Sequence, residues 1–283
     1  MADYDYKAGK KRIKEILNNK LQVIENDKIP NNDNFTFSNA YYGWVTAIFV
    51  DIRNSTDLFS KDDKEIVSKM IRSFTSEVIE ILRKDDLLRE IGIRGDCVYA
   101  IYTTPTKESI KEMMDKSFYI NTFMKMLNKL LDEKGFSRIS VGIGVSTAQE
   151  LVVKAGRKDV GINNSVWIGD AVTKASNLSS LGNKNGYKSI VLSSLTYSNI
   201  IDLFVKKNGT ESESWFDSRY DSKIGSFYDS NIIKSDFNPQ LSTRAVNTYE
   251  NEIKNTNQAM AANQTTTNAM EKQSEILNNI KEK

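Results

Sequence analysis

The chain has 283 residues, of which 39% are hydrophobic, which suits one large domain with solvated appendages. A formal charge of +2 gives no electrostatic support for a nucleic-acid partner, and none is expected. There is no histidine, which removes His-based triads, His-ligated zinc and histidine general bases together, and the single cysteine, Cys97, allows no intrachain disulfide and suits a reducing, cytoplasmic setting.

The Lys- and Asp-rich N-terminus lacks the form of a signal peptide. Ile13, Ile16, Leu17, Leu21 and Ile24 recur at helical spacing and predict an amphipathic helix over residues 8–25. Asn, Asp and Pro crowd residues 26–34, so residues 1–34 are expected to form a helix and a linker. A strand is expected from Gly43 to Asp51, then a helix over 61–84 carrying Ile66, Met70, Ile71, Phe74, Val78 and Ile81. Leu87 to Tyr102 predicts a hairpin turning near Arg94-Gly95, and residues 107–133 a long helix. Ile139 to Val145 predicts a strand in which Gly142 and Gly144 let another element approach closely. Val152–Gly156 is expected to pair with Val166–Gly169 across a turn containing Gly161. A helix over Ala171–Leu181 should stop at Gly182, followed by a strand over Ser189–Leu192. Residues 206–238 carry Trp215, Phe216, Tyr220, Phe227, Tyr228 and Phe237 and predict a last hairpin folded on the core. Residues 239–283 are rich in Asn, Gln, Thr and Ala and predict a polar helix or a disordered tail. No apolar run approaches the roughly 18 residues of a membrane span, so no membrane partner is expected. This order of elements predicts an α+β sandwich, with an antiparallel-rich sheet and helices on one face.

Two carboxylates stand out. Asp51 ends the apolar run Ala47-Ile48-Phe49-Val50, and Asp96 follows Gly95 at the predicted hairpin turn. Either alone reads equally as a helix cap or turn residue, since Asp51 precedes Asn54-Ser55-Thr56 and Asp96 sits in a Gly-Asp turn. Together, at strand ends, they are the oxygen ligands that a hard divalent cation selects. Strand alternation places Phe49 on the side of Asp51, and Arg94 on the side of Asp96.

Three segments together resemble the class III nucleotidyl cyclase family: Ala47 to Thr56, Gly95 to Ala100, and Val141–Val145 with Val153–Gly156 and Trp167–Ser176. The resemblance spans about residues 40–205 and implies a ferredoxin-like, palm-type cyclase domain there. It implies a head-to-tail homodimer with an active site at each interface. Asp51, Asp96 and the Ile52 carbonyl would hold two Mg²⁺ or Mn²⁺ ions, and the backbone from Arg53 to Thr56 would cradle phosphate. Thr173 and Asn177 stand where the family places a transition-state Asn and Arg. Lys174, Lys154 and Arg94 are the neighbouring cations that could replace that Arg.

The family's purine-reading positions fall on Gly92 and Val166, neither of which hydrogen-bonds through a side chain. Each missing bond to a buried base edge costs about 1–3 kcal/mol, which argues against adenine or guanine. The Trp167-Ile168-Gly169-Asp170 stretch and the aromatic C-terminal hairpin look like the pyrimidine cyclases of Pycsar anti-phage systems. That resemblance implies conversion of UTP, in preference to CTP, into the 3′,5′-cyclic monophosphate and diphosphate, with a separate effector reading the product. Phe49 and Arg94 would contact the nucleotide. A non-catalytic nucleotide-binding regulatory module and an adenylate cyclase with atypical base selectors are the alternatives.

Overall fold

One sheet organises the chain. The computed structural model describes residues 3–61, 63–157 and 161–235; Phe237 and the predicted tail over 239–283 lie outside the described residues. The chain divides into a unit Met1–Ile233 and a unit Lys234–Lys283, and the elements below belong to the first. Among the described residues nine strands form the sheet, in the order β3-β4-β2-β5-β7-β9-β8, with β1 added on β2 and β6 on β5.

Helix α1 (Tyr6–Asn18) is capped by Asp5, whose carboxylate accepts from the amides of Lys7 and Ala8. It ends earlier than its apolar spacing predicts. Gln22–Glu25 is a strand (β1) that pairs in parallel with β2 (Asn39–Ile52), so Ile24 belongs to the sheet and not to the helix. The predicted helix over 61–84 is α3 (Lys64–Arg83), with Asp63 accepting from the Glu65 amide as its cap, and a short helix that was not predicted, α2 (Ser55–Lys61), precedes it. Strands β3 (Leu88–Arg94) and β4 (Cys97–Thr103) form the hairpin, and α4 (Lys107–Glu133) starts at a capping box between Thr106 and Ser109. Strand β5 (Val141–Arg157) runs on beyond its predicted end and pairs with β6 (Ile162–Gly169). Helix α5 (Asp170–Ser179), strand β7 (Ile190–Ser193) and helix α6 (Ser194–Asn208) follow. Strands β8 (Asp217–Asp221) and β9 (Gly225–Ser230) form a hairpin joined to the sheet through β7. No helix among the described residues is long and apolar enough to cross a membrane.

Alternation along β2 and β4 separates two faces. Val98, Ala100 and Tyr102 turn toward α3, where the buried Tyr102 hydroxyl donates to the Leu82 carbonyl at 2.7 Å. Val45, Ala47, Phe49 and Ile101 turn the other way and pack with Ala171 and Ala175 of α5. Helices on one face therefore describes α3 and its neighbours, while α5 lies against the opposite face. It can do so because β5 is bare there. A Cβ at Gly144 would stand 2.0 Å from the Ala175 carbonyl oxygen, and one at Gly142 2.0 Å from that of Ser179. The close approach foreseen from these two glycines is the α5 backbone.

Gly144→Ala should therefore force α5 off the sheet and cost about 3 kcal/mol. The check is the urea midpoint, expected to fall with an unchanged slope.

Candidate active site

Strand register builds the site. Asp51 pairs with Cys97, and Cys97 pairs with Arg94, so the three lie in one row across β2, β4 and β3. Between Arg94 and Cys97 the chain reverses through Gly95, whose φ of +64° favours glycine, and this turn carries Asp96 next to the cross-strand partner of Asp51. The two carboxylates interact. Burial raises the Asp51 pKa most, the Arg53 charge opposes this, and the charge of Asp96 raises it further. The Cys97 thiol is pushed up to about 12, by burial first and then by the charge of Asp51, with Asp96 adding to it. A divalent cation would relieve this concentration of negative charge, so the residues present fit one. Among the described residues no group of three or more Cys, Asp or Glu side chains is gathered for a metal. Two carboxylates, a backbone oxygen and substrate phosphates are the donor set that Mg²⁺ commonly accepts. Ile52 buries its side chain, leaving only its carbonyl for that purpose.

Arg53 does not have the predicted role. Its amide donates to the Ser140 carbonyl at 2.7 Å, and so is not available to a phosphate. Its guanidinium is buried too. Nη2 donates to Asp51 Oδ2 at 2.5 Å and to the Ser179 carbonyl at 2.8 Å, and Nη1 donates to the Ser180 carbonyl at 2.9 Å. Arg53 thus clamps the end of β2 that carries Asp51 to the C-terminal end of α5. Asn54, with φ of 53°, then turns the chain into α2.

The next row across the sheet is Gly92, Tyr99, Phe49 and Gly144. Phe49 is 8% exposed and stacks on Tyr99 with ring centroids 5.3 Å apart and planes at 16°. Of the two rings, Phe49 belongs to the core and Tyr99 is the more exposed. The Tyr99 ring covers Gly92, where a Cβ would stand 2.8 Å from it. Its hydroxyl donates to Glu90 Oε1 at 2.7 Å, and Trp167 Nε1 donates to Glu90 Oε2 at 2.7 Å. Burial and the Glu90 acceptor push the Tyr99 hydroxyl up to about 12, and the charge of the exposed Arg94 opposes this. Sequence alone did not single out Tyr99, Glu90 or Trp167 as a unit. The signal was available in the hairpin register, which places Tyr99 opposite Phe49 once Asp51 is opposite Cys97.

Helix α5 begins at Gly169, and the buried Glu150 carboxylate accepts from the amides of Ala171 at 2.5 Å and Val172 at 3.4 Å. Ala171, Ala175 and Leu178 face the sheet, while Thr173 and Asn177, one turn apart, are exposed on the side turned from it. The cations proposed to replace the family's Arg are dispersed. Lys174 pairs with Asp170 at 2.8 Å, and Lys154 donates to the Phe35 carbonyl at 3.4 Å. A different cation, Lys184 in the loop after α5, lies near enough to lower the Asp51 pKa. Val166 and Ile168 are exposed on β6.

The chain belongs to the adenylate and guanylate cyclase catalytic domain family, whose model matches residues 37–212. It is 57% identical over 235 residues to a uridylate cyclase of Treponema porcinum, covering 83% of this chain and 80% of that protein. It is 35% identical over 188 residues to a uridylate cyclase of Gulbenkiania mobilis, covering 64% of this chain and 73% of the relative. Among solved structures, the adenylyl cyclase CyaB from P. aeruginosa matches with a TM-score of 0.54 at 20% identity, over 68% of this chain and 95% of the other. The guanylyl cyclase Cya2 matches with a TM-score of 0.53 at 14% identity, over 70% and 96%. At these identities the two structures show the fold, a class III cyclase fold.

Arg53→Ala should strand the Asp51 carboxylate and two helix-end carbonyls, lowering stability by about 3 kcal/mol in urea titration. Glu150 supplies a pH signature. Burial raises its pKa, so the folded state holds a proton that the unfolded chain has already released. The stability it contributes is present below the ordinary glutamate value of about 4.3 and declines as pH rises through the raised one. Urea midpoints measured upward from pH 4 should decline less steeply in Glu150→Gln than in the wild type.

Proposed function

We propose that this protein is a metal-dependent pyrimidine nucleotide cyclase that converts UTP, in preference to CTP, into the 3′,5′-cyclic monophosphate and diphosphate. The observation that carries the enzyme assignment is the electrostatic interaction between Asp51, near the end of β2, and Asp96, in the β3–β4 turn next to the Cys97 that pairs with Asp51. In this proposal Asp51, Asp96 and the Ile52 carbonyl hold two Mn²⁺ or Mg²⁺ ions. The bound ions would lower the pKa of the ribose 3′-hydroxyl and neutralise the departing diphosphate. The 3′-oxygen attacks the α-phosphorus, the bond to the β-phosphate oxygen breaks, and the hydroxyl proton passes to solvent. The site is completed in a homodimer, where the exposed Thr173 and Asn177 of one protomer face the phosphates held by the other. The amides of Asn54 to Thr56 and the Arg94 side chain are assigned to the nucleotide. Lys184 adds positive charge beside Asp51 that the family's Arg would otherwise supply.

Selection among bases rests on shape. Where purine cyclases carry a hydrogen-bonding selector, this chain has Gly92 covered by Tyr99. The ring occupies volume that a purine's second ring would need, and Glu90 and Trp167 fix it in place. The two relatives named uridylate cyclase support uracil over cytosine. A cytoplasmic role in anti-phage signalling, with a separate effector reading the cyclic nucleotide, follows from the resemblance to Pycsar cyclases.

A non-catalytic nucleotide-binding module is the alternative, motivated by Thr173 and Asn177 in place of the expected Asn and Arg. It requires stabilisation by triphosphate without turnover.

Purified protein with Mn²⁺ should form cyclic UMP and diphosphate from UTP faster than it turns over CTP, ATP or GTP. Asp51→Ala and Asp96→Ala should each lower the rate by about 10³-fold or more. If none of the four triphosphates is consumed with either metal, the enzyme assignment fails. Tyr99→Ala should raise the ATP-to-UTP ratio of kcat/KM by about tenfold; an unchanged ratio would remove the shape argument while leaving the cyclase assignment intact.

A further inference from the structure

On the flank of α5 away from Phe49 lies a cleft of about 260 Å³ that has no part in the proposed chemistry. That is several times the ~30 Å³ share of one water, enough for a small organic molecule. Its floor is Ser146 of β5, which is 1% exposed and whose Oγ has no hydrogen-bond partner. A buried hydroxyl left unpaired costs about 1–3 kcal/mol, and a partner entering the cleft would recover it. Beside it stands the N-terminus of α6, a helix of 15 residues, with Ser194 and Leu195 lining the cleft. Ser193 caps this helix by accepting from the Thr196 amide, and the remaining first-turn amides carry the positive end of the helix dipole. Lys174 adds a cation, paired at 2.8 Å with Asp170, whose carboxylate also lines the cleft and is balanced by that lysine. The opposite wall is apolar, made by Leu178, Ile224 and Phe227.

We propose that this cleft is a second ligand site for a small organic anion. Its oxyanion head would take the Ser146 hydroxyl, the α6 first-turn amides and Lys174, and its apolar body would lie on Leu178, Ile224 and Phe227. The site has a mechanical route to the catalytic helix. Asp170, Lys174 and Leu178 form one stripe of α5, and Thr173 and Asn177 form the adjacent one. A ligand held by the first stripe braces the second, so occupancy changes turnover. This last consequence rests on the proposed cyclase activity; the binding claim does not.

The test uses the full chain in EDTA and reads the melting temperature against phenyl phosphate, with inorganic phosphate and phenol as separate arms. Phenyl phosphate should stabilise the wild type and Asp51→Ala alike, inorganic phosphate should stabilise less, and phenol not at all. Ser146→Ala removes a hydroxyl that has no partner, so it should leave the ligand-free melting temperature unlowered while weakening the phenyl phosphate midpoint at least tenfold. Lys174→Gln, at a half-buried position, should weaken it as well. No shift in the wild type, an equal shift in Ser146→Ala, an equal shift with phenol, or loss of the shift in Asp51→Ala would each overturn the site. With UTP and Mn²⁺, phenyl phosphate should alter the wild-type rate and leave that of Ser146→Ala unaltered; equal response of the two would overturn the coupling to α5. Because binding is read without turnover, failure of the cyclase assay would leave the binding result standing.

Discussion

The guanidinium of Arg53 is the interaction on which the arrangement of this site depends. It lies two residues beyond Asp51, and its buried side chain returns to that carboxylate at 2.5 Å while binding the carbonyls of Ser179 and Ser180. Those carbonyls close α5, where the helix dipole is negative and a cation is favoured. One side chain therefore neutralises a strand-end carboxylate and a helix C-terminus together. The cost of burying a guanidinium is offset only because nearly every donor is used; Arg53 Nε alone has no partner among the described residues. The clamp also sets what a metal ion would encounter. Asp51 is pushed up by burial and by Asp96 and drawn down by Arg53, with the net shift upward, and a cation beside it would act in the same direction as Arg53.

The clamp works only because α5 lies close. Gly142 and Gly144 leave β5 without side chains where the helix crosses, and the buried Glu150 holds its first turn by accepting from the Ala171 and Val172 amides. The helix is thus fixed at its start by a carboxylate and at its end by a guanidinium. Its sheet-facing stripe is Ala171, Ala175 and Leu178, two of them alanines, consistent with a backbone-to-backbone approach. What remains outward is Thr173 and Asn177, presented on a rigid support.

Much of this was legible in the linear chain, for local reasons. The long helix α4 matches its predicted limits because Thr106 and Ser109 form a capping box and its apolar period is unbroken. That Asp51 and Asp96 fall at strand ends was legible because each lies beside a run that alternates or buries as a strand, which depends on near neighbours; that the two meet was implied by the family resemblance and not by local pattern. The glycines of β5 announced a close approach, but nothing in their spacing says which element approaches or from which face. The placement of α5 opposite α3 is a tertiary choice, made by the side of β5 on which the glycines fall. The Arg53 amide was assigned to phosphate for a related reason: its place just after Asp51 is local, whereas its pairing with the Ser140 carbonyl is a contact between distant segments. Similarly, β1 was hidden in a helical spacing because Val23 and Ile24 suit either pattern, and pairing with β2 decides between them.

The surroundings of Gly92 illustrate how a side chain absent from one strand is replaced by a contact from the next. A glycine at a selector position removes a hydrogen bond and, taken alone, only weakens recognition. Here it also makes room for Tyr99, because any Cβ at position 92 would stand 2.8 Å from that ring. The tyrosine is then held by Phe49 on one side and by Glu90 at its hydroxyl, and Glu90 is held in turn by Trp167 from β6. An irregularity in the pairing between Leu88 and Glu90 shifts the register of β3 and sets Glu90 opposite Ile101, in line with the acceptor position this network needs. In the proposed cyclase a wall of this kind would discriminate by overlap, which a wrong base could not relieve by recruiting water. A missing hydrogen bond can be partly replaced in that way, at a cost of only about 1–3 kcal/mol. Glycine at 92 and tyrosine at 99 are therefore one device, and substituting either alone breaks it: the larger residue at 92 by collision, the smaller at 99 by opening the space the ring now fills.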